Sequence, residues 1–281
     1  MNPTVAIVAQ GAMGSAVGRR LVERGLQVTT SLAGRSEASA QRARAAGMIA
    51  VSDEEVARAD FFLSIVPPVD ALALAEKMAA LIARSNRKPI YVDCNAVNPP
   101  TKSKIARVIA HAGGPFVDVG IIGGPPAQGY DGPAFYASGP DATRFAPLGG
   151  FGLDVRVIEG PIGAASALKM SYAGITKGLT ALSSAMLLAA TREGAAAALQ
   201  NELARSQPAL LAWFRRSVPS MFPKACRFVG EMEEIADFVS EDEAARQMFE
   251  AYAKLYARLA VDFGSKQTET GALAAFLDRK S

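Results

Sequence analysis

The chain is short of cysteine, of net charge, of any basic leader and of any uncharged run long enough to cross a membrane, and each shortage narrows what it can be. Its two cysteines, Cys94 and Cys226, lie far apart and match no metal-ligand or redox spacing. No metal is expected, and the cysteine usage is that of a reducing cytoplasm. A net charge of +3 with scattered basic residues makes the pI near 8.9 the property of an ordinary solvated surface. No nucleic-acid partner is expected. The start lacks a basic segment followed by a long apolar stretch. Residues 181–190 are apolar, but Lys169, Lys177 and Arg192 bracket an uncharged stretch shorter than the ~20 residues of a membrane span. A buried helix accounts for them, and no membrane partner is expected. Internal repeats and low-complexity linkers are absent from the sequence.

What is present is a chain of 281 residues, half of them hydrophobic, enough for two domains and a substantial core. Up to residue 160, apolar strand-like runs alternate with Ala-rich helical segments, the pattern of an α/β doubly wound parallel sheet of Rossmann type. Strands are predicted at 4–9, 27–32, 61–66, 89–93, 115–119, 133–137 and 154–158, and helices at 12–24, 36–46, 70–84 and 100–112, with antiparallel additions near 130–158 completing one edge. Beyond Gly160 the chain is helical throughout. Residues 164–193 can run about 45 Å as one helix at 1.5 Å per residue. Further helices are expected near 195–204, 208–216, 223–238, 241–262 and 268–278, broken at Gln207-Pro208, Val218-Pro219 through Phe222-Pro223, and Phe263-Gly264-Ser265. The predicted organisation is therefore a nucleotide-binding domain over 1–160 and an all-helical domain over 161–281.

The apolar run Val5-Ala6-Ile7-Val8-Ala9 leads into Gln10-Gly11-Ala12-Met13-Gly14 and then a helix-like segment. A strand that turns over small residues into a helix can hold a dinucleotide pyrophosphate, because the backbone approaches the phosphates and the helix N–H groups face the charge. Ala9 replaces the usual first glycine; a tight turn needing small residues for packing is the competing reading. The acid that binds adenosine ribose hydroxyls in NAD enzymes is missing from the second strand's end, where no carboxylate occurs before Glu37. Arg35 can pair with a 2′-phosphate, and Ser31 and Ser36 can donate hydrogen bonds, which favours NADP over NAD; Arg35 as a solvated loop residue is the alternative.

Val66-Pro67 and Asn95 follow predicted parallel strands, where ligands bind in this architecture. Asn95 can bond the cofactor or a substrate oxygen, or form a structural Asx turn ahead of Pro99 and Pro100. Gly123-Gly124 can expose N–H groups to a carboxylate or oxyanion, or make a plain turn. On the long helix Lys169, Tyr172 and Thr176 share one face. A lysine among alanines and leucines is partly desolvated, which lowers its pKa and suits it to proton transfer; a snorkelling lysine fits the same pattern.

Together these residues resemble the superfamily of β-hydroxyacid and 6-phosphogluconate dehydrogenases over nearly the whole chain. Met13-Gly14 matches the end of the family's turn, Asp93-Cys94-Asn95 with Pro99 its substrate and cofactor loop, and Gly123-Gly124 its paired glycines. Gly160, Gly163, Ala165 and Lys169 match its Gly-x-x-Gly-x-Gly-x-x-x-Lys, which places the family's catalytic lysine on Lys169. The resemblance implies a Rossmann domain, a long interdomain helix, a helical domain that commonly dimerises, and a site between the domains. It also implies NADP-dependent hydride transfer to or from a small hydroxy acid or related carbonyl compound, with Lys169 as proton donor or acceptor.

Departures from the pattern limit the substrate. Ile122 stands where the family has a serine, and Tyr172, Ala173 and Thr176 replace the His, Asn and acid of the 6-phosphogluconate version. These changes argue against decarboxylation and for a less polar or larger substrate, lined by Asn95, Ile122, Gly123, Gly124, Tyr172 and Thr176. Tyr172, if buried beside Lys169, can share the proton-transfer role; otherwise it is a structural aromatic. Residues 222–236 look like a helical domain of unassigned function found in bacterial members, where Arg227 either pairs with Glu231 or reaches an anionic substrate. Imine reduction on the same fold, and a non-catalytic NADP sensor, are the alternatives; the family's imine reductases mostly carry Asp or Tyr at the position of Lys169.

Overall fold

A computed structural model describes residues 2–278. The chain divides after Lys169 into two compact units. The first is built on β1 (Thr4–Val8), β2 (Gln27–Thr30), β3 (Ile49–Ala50), β4 (Phe61–Ser64), β5 (Ile90–Asp93), β6 (Phe116–Ile122), β7 (Ala134–Ser138) and β8 (Asp154–Val157). They form one sheet in the order β3-β2-β1-β4-β5-β6-β7-β8, parallel except between β6 and β7. The chain runs outward from β1 through β2 and β3, then returns to place β4 on β1's other side. That reversal is the switch point of a doubly wound sheet, where a crevice opens beyond the carboxyl ends of the strands.

The strands read as continuous apolar runs because both faces are covered. Val5, Ile7, Leu63, Val92, Val117 and Val119 point into one core. Ala6, Val8, Phe62, Tyr91 and Phe116 point into the other, where the rings of Phe62, Tyr91 and Phe116 stack with centroids 5.0 and 6.0 Å apart. Each of the Val, Leu, Ile and Phe side chains among these contributes roughly 1.5–3 kcal/mol by leaving water. The first unit's helices are α1 (Ala12–Glu23), α2 (Glu37–Ala45), α3 (Asp53–Val56), α4 (Ala71–Arg84) and α5 (Pro99–His111).

Helix α6 (Ala164–Arg192) begins in the first unit and continues into the second, which adds α7 (Ala196–Ser206), α8 (Pro208–Met221), α9 (Ala225–Phe238), α10 (Glu243–Phe263) and α11 (Thr268–Asp278). These helices bury Met232, Ile235, Tyr256, Leu259, Leu273 and Phe276. The Tyr256 hydroxyl donates to the Lys177 carbonyl at 2.6 Å, fixing α10 on α6. By length and composition α6 is able to cross a membrane, and 44% of its apolar stretch is buried in the protein.

Four features differ from, or lie outside, what the sequence predicted. The domain boundary lies after Lys169 rather than at Gly160, because the first turn of α6 is bonded to the sheet. The two-residue β3 and the four-residue α3 were not predicted; they are too short for hydrophobic periodicity to register, although Ser52 and Glu55 form a capping box that announces α3. The segment Ala142–Phe151 is a 3-10 stretch that packs Phe145 and Leu148 into the core. Helix α8 runs through Pro219 to Met221, because Val218, Met221 and Phe222 are buried and hold the turn that proline alone would break.

Candidate functional site

Gly11 is the N-cap of α1, with no side-chain cap and no acid in the helix's first turn, so its leading N–H groups are uncapped by the protein. Gly11 and Ala12 are exposed, Met13 is half-buried against the core and Gly14 is buried. A Cβ on Gly11 would meet nothing within 4 Å. Internal packing therefore does not demand glycine there, and the open space ahead of a positive helix end is what a pyrophosphate requires. Gln10 is fully buried beneath the turn. Its amide donates to the Thr30 hydroxyl and to the Ile7 and Ser31 carbonyls at 3.3 and 3.4 Å, while Arg42 Nε donates to its carbonyl at 2.6 Å. The turn is thereby tied to the end of β2.

Beyond β2 lies a cavity of about 250 Å³ lined by Ser31, Ala33, Arg35, Asp53, Leu74 and Lys77, among others. Sequence reasoning named Ser31 and Arg35; it missed Asp53 and Lys77, which come from α3 and α4. Asp53 holds Lys77 at 2.7 Å. Burial works against its charge, but Lys77, the Ser31 hydroxyl and Arg35 hold its carboxyl below the usual range. An acid thus does reach the end of β2, from the helix α3 further along the chain, and it is already occupied by Lys77 and Ser31. Arg35 is exposed and, among the described residues, in no salt bridge. Ser36 instead caps α2, accepting from Ser39 N at 3.3 Å. These residues, with the cradle at Gly11, fit a dinucleotide.

The second cluster is a polar row across the sheet. Ser64, Asp93, Asp118 and Ser138 are register partners on β4, β5, β6 and β7, and all four are fully buried. Four polar side chains in an otherwise apolar layer need internal partners. The cation is Lys102, itself fully buried, whose amine donates to the Asp93 carbonyl at 2.7 Å and carboxylate at 2.5 Å and lies 3.3 Å from the Asp118 carboxylate. Local sequence puts it there. Asn98 caps α5 by accepting from Thr101 N at 3.0 Å, and Pro99 and Pro100 start the helix. Lys102 then falls on the stripe with Ile105, Ala106 and Ile109 that α5 buries. Burial opposes its charge, yet Asp93 and Asp118 raise its pKa above the ordinary lysine value. Lys102 was not among the site residues expected, although a lysine at an apolar-stripe position is a signal readable in the sequence.

Asn95 belongs to this cluster and not to an open ligand surface. It is 2% exposed. Its amide nitrogen donates to Ser64 Oγ at 2.8 Å and Asp93 Oδ2 at 3.1 Å, and its oxygen accepts from the buried Val66 N–H at 2.7 Å. The side chain braces the ends of β4 and β5, with both amide hydrogens and the oxygen engaged within the protein. Pro67, next in the chain, is exposed.

Asp118 is also the cap of α6. Its carboxylate accepts from Gly163 N at 2.9 Å, Ser166 N at 3.2 Å and Ser166 Oγ at 2.7 Å, while Ser138 Oγ accepts from Ala165 N at 2.9 Å. Gly163 makes this possible at φ +101°, a conformation that side chains disfavour. Gly120 lets the helix settle, for a Cβ there would lie 2.5 Å from the Ala165 carbonyl oxygen and 3.2 Å from Lys169 Cβ. Lys169 follows one turn after Ser166 and is partly buried. Burial first, and then the Lys102 charge, depress its pKa to about 8 against the opposing pull of Cys94, Asp93 and Asp118. The Cys94 thiol is pushed up to about 12, chiefly by burial, so it stays protonated and unreactive.

The paired glycines follow β6: Ile122 is half-buried, and Gly123, at φ +126°, and Gly124 are exposed. A Cβ on Gly123 would collide with the Tyr130 hydroxyl. That phenol at the glycine pair was not foreseen. The loop is gripped by Arg20 of α1, whose guanidinium donates to the carbonyls of Ala127, Tyr130, Asp131 and Gly132 at 2.6–3.2 Å. On α6 Tyr172 is 53% exposed, so the condition for its sharing proton transfer, burial beside Lys169, is not met. Thr176 is half-buried and spends its hydroxyl proton on the Tyr172 carbonyl at 2.8 Å. Arg227 pairs with Glu231 at 3.2 Å, and Lys177, which was not singled out, binds the same carboxylate and lies 4.9 Å from the Phe228 ring centroid.

Comparison with known proteins gives a family match at each end of the chain. The NAD binding domain of 6-phosphogluconate dehydrogenase matches residues 4–146, and a domain of unknown function, DUF1932, matches residues 190–259. An uncharacterised 28.5 kDa protein of Methanothermus fervidus is 35% identical over 159 residues, 56% of this chain and 59% of that one. The alignment thus spans less than two thirds of that relative. A solved protein of unknown function, described as structurally similar to 3-hydroxyacid dehydrogenases, is 30% identical with a TM-score of 0.77 over 93% of this chain and 99% of its own. Mycobacterium tuberculosis 3-hydroxyisobutyrate dehydrogenase shares the fold at a TM-score of 0.77 and 17% identity, over 99% of this chain and 100% of its own.

Proposed function

Since the chain belongs to the family built on the NAD binding domain of 6-phosphogluconate dehydrogenase, and is an NAD(P)-dependent oxidoreductase of hydroxyacid-dehydrogenase type, we propose that it interconverts a small hydroxy acid, or a related alcohol, with its carbonyl compound using NADP. The dinucleotide, when bound, exchanges a hydride at its nicotinamide. Everything else falls to the protein: the uncapped start of α1 takes the pyrophosphate, and Lys169 accepts the alcohol proton or, in reduction, supplies it.

The observation that carries this reading is the placement of Lys169 one turn beyond the Asp118-capped start of α6, settled against Gly120 and partly buried. A pKa of about 8 lets one amine hold and release a proton near neutral pH, which a solvated lysine does two to three orders of magnitude less readily. The preference for NADP is supported by Arg35 and Lys77 on the cavity beyond β2, where Asp53, one of the two acids that line it with Asp70, is already engaged by Lys77. For the substrate, Gly123-Gly124 offer backbone and Tyr130 a phenol close to the position where Ile122 lacks a hydroxyl. A homodimer through the helical unit is supported by an exposed apolar stripe on α6, formed by Tyr172, Ile175, Leu182 and Met186.

Purified protein offered NADPH or NADH with a panel of small hydroxy acids, ketoacids, aldehydes and cyclic imines tests the proposal. NADPH-preferring turnover of a carbonyl or hydroxy-acid substrate that Lys169→Ala abolishes, with NADPH binding retained, is expected. Full turnover in Lys169→Ala refutes the lysine mechanism. Activity confined to imines supports imine reduction instead, and stoichiometric binding without turnover supports a sensor.

A further inference from the structure

Two buried carboxylates and one buried lysine leave the polar row one negative charge out of balance. The groups whose charge acts on the Lys169 amine are Lys102 from α5, Cys94 and Asp93 from the end of β5, and Asp118 from β6. With the thiol neutral, Lys169 is the second cation that brings the set to zero. The two amines do not share the carboxylates equally. Lys102 takes the direct contacts, 2.5 Å to Asp93 and 3.3 Å to Asp118, whereas Lys169 is in no salt bridge among the described residues. Asp118 at the same time bonds Gly163 and Ser166, the turn from which Lys169 projects.

We propose that Lys102 is a positioning residue for Lys169: by occupying Asp93 and Asp118 it leaves the Lys169 amine without an ion-pair partner, placed by the Asp118-capped turn and free to exchange a proton with bound substrate. The opposite directions of the two lysines accord with this. Where carboxylates are in contact they outweigh burial and Lys102 rises; where they are not, burial wins and Lys169 falls. Neighbouring groups driven apart in this way divide a site into a fixed charge and a working acid–base. Lys102 need not touch the substrate. The inference rests on Lys169 as the proton-transfer group, and its test is chosen to be readable without turnover.

The experiment titrates Lys169 directly, through the ε-carbon shift in protein carrying isotope-labelled lysine, assigned by its loss in Lys169→Met. In Lys102→Gln the repelling charge is gone and the carboxylates are released, so the midpoint should climb from about 8 by about one unit or more. In Asp118→Asn, which keeps the shape and one acceptor oxygen for the Gly163 and Ser166 N–H groups, it should fall. Lys102→Arg should leave it near the wild-type value. Should Lys102→Gln fail to fold, the isosteric Asp118→Asn titration decides alone. An unchanged midpoint in Asp118→Asn, or a shift of the same sign in it and in Lys102→Gln, overturns the proposal. The pH profile of turnover should move with the titration; if the midpoints move as expected and the profile does not, the proton-transfer reading of Lys169 is what fails.

Discussion

Replacing Lys169 by methionine should make the protein more stable while abolishing its chemistry. The amine has a pKa of about 8 in the fold against 10.5 when solvated, and at about 1.4 kcal/mol per pH unit keeping it charged costs the folded state about 3 kcal/mol. Partial exposure of the residue makes that an upper limit. Below pH 8 both folded and unfolded chains carry the proton and the whole cost is present. Between about 8 and 10.5 the folded protein has released the proton while the unfolded chain retains it, so stability climbs with pH. Above 10.5 both are neutral and the cost is gone. Methionine has the length of the neutral lysine stem without the charge. Lys169→Met should therefore exceed wild type by up to about 3 kcal/mol at pH 7, a shift of about 1 M in urea midpoint at an m-value near 3 kcal/mol/M, and the advantage should shrink towards zero at pH 10. Urea unfolding followed by circular dichroism at both pH values measures it. Equal or lower stability of the variant at pH 7, or an advantage that persists unchanged at pH 10, would refute the reasoning.

Gly120→Ala should destabilise the first unit by about 1–3 kcal/mol, since its methyl would overlap the Ala165 carbonyl that cannot yield without moving α6; thermal unfolding reads this. Arg35→Ala should weaken NADPH about tenfold or more, the loss of a charged hydrogen bond, and leave NADH nearly unchanged, as fluorescence titration of the two would show; equal losses for both would argue against a 2′-phosphate contact. Tyr130→Phe should raise the KM for an anionic substrate several-fold with kcat little altered, because the phenol lies at the glycine pair and not at Lys169.

Much of the fold was legible because its signals are periodic and local. The alternation of strand and helix to residue 160 and the long helix at 164–193 rest on runs that fit one geometry only, and the sheet has every strand expected of it, with the two-residue β3 in addition. The turn at Gly11 was legible for the same reason. The polar row was not, because Ser64, Asp93, Asp118 and Ser138 become neighbours only through strand register, a pairing that no single segment encodes. Asp53 and Lys77 escaped for a related reason: the end of β2 was read for an acid along its own chain, whereas the fold delivers one from α3. Asn95 was read as facing a ligand because it follows a parallel strand, and the structure turns it inward once Ser64, Asp93 and Val66 are seen to use every amide atom.

The grip of Arg20 on the loop after the glycine pair engages four carbonyl oxygens and no side chain. Carbonyls are supplied by every residue type, proline included, so the grip itself does not depend on the side chains of residues 127–132; glycine is required only at Gly129, at φ +71°, and at Gly132, where a Cβ would lie 2.5 Å from the Tyr130 hydroxyl. Side chains at Ala127, Gln128 and Asp131 can be exchanged, for polarity or for bulk, while the loop keeps its course. Such a segment separates what holds it from what it presents, and makes it the place where this scaffold can change its substrate at the least expense to its stability.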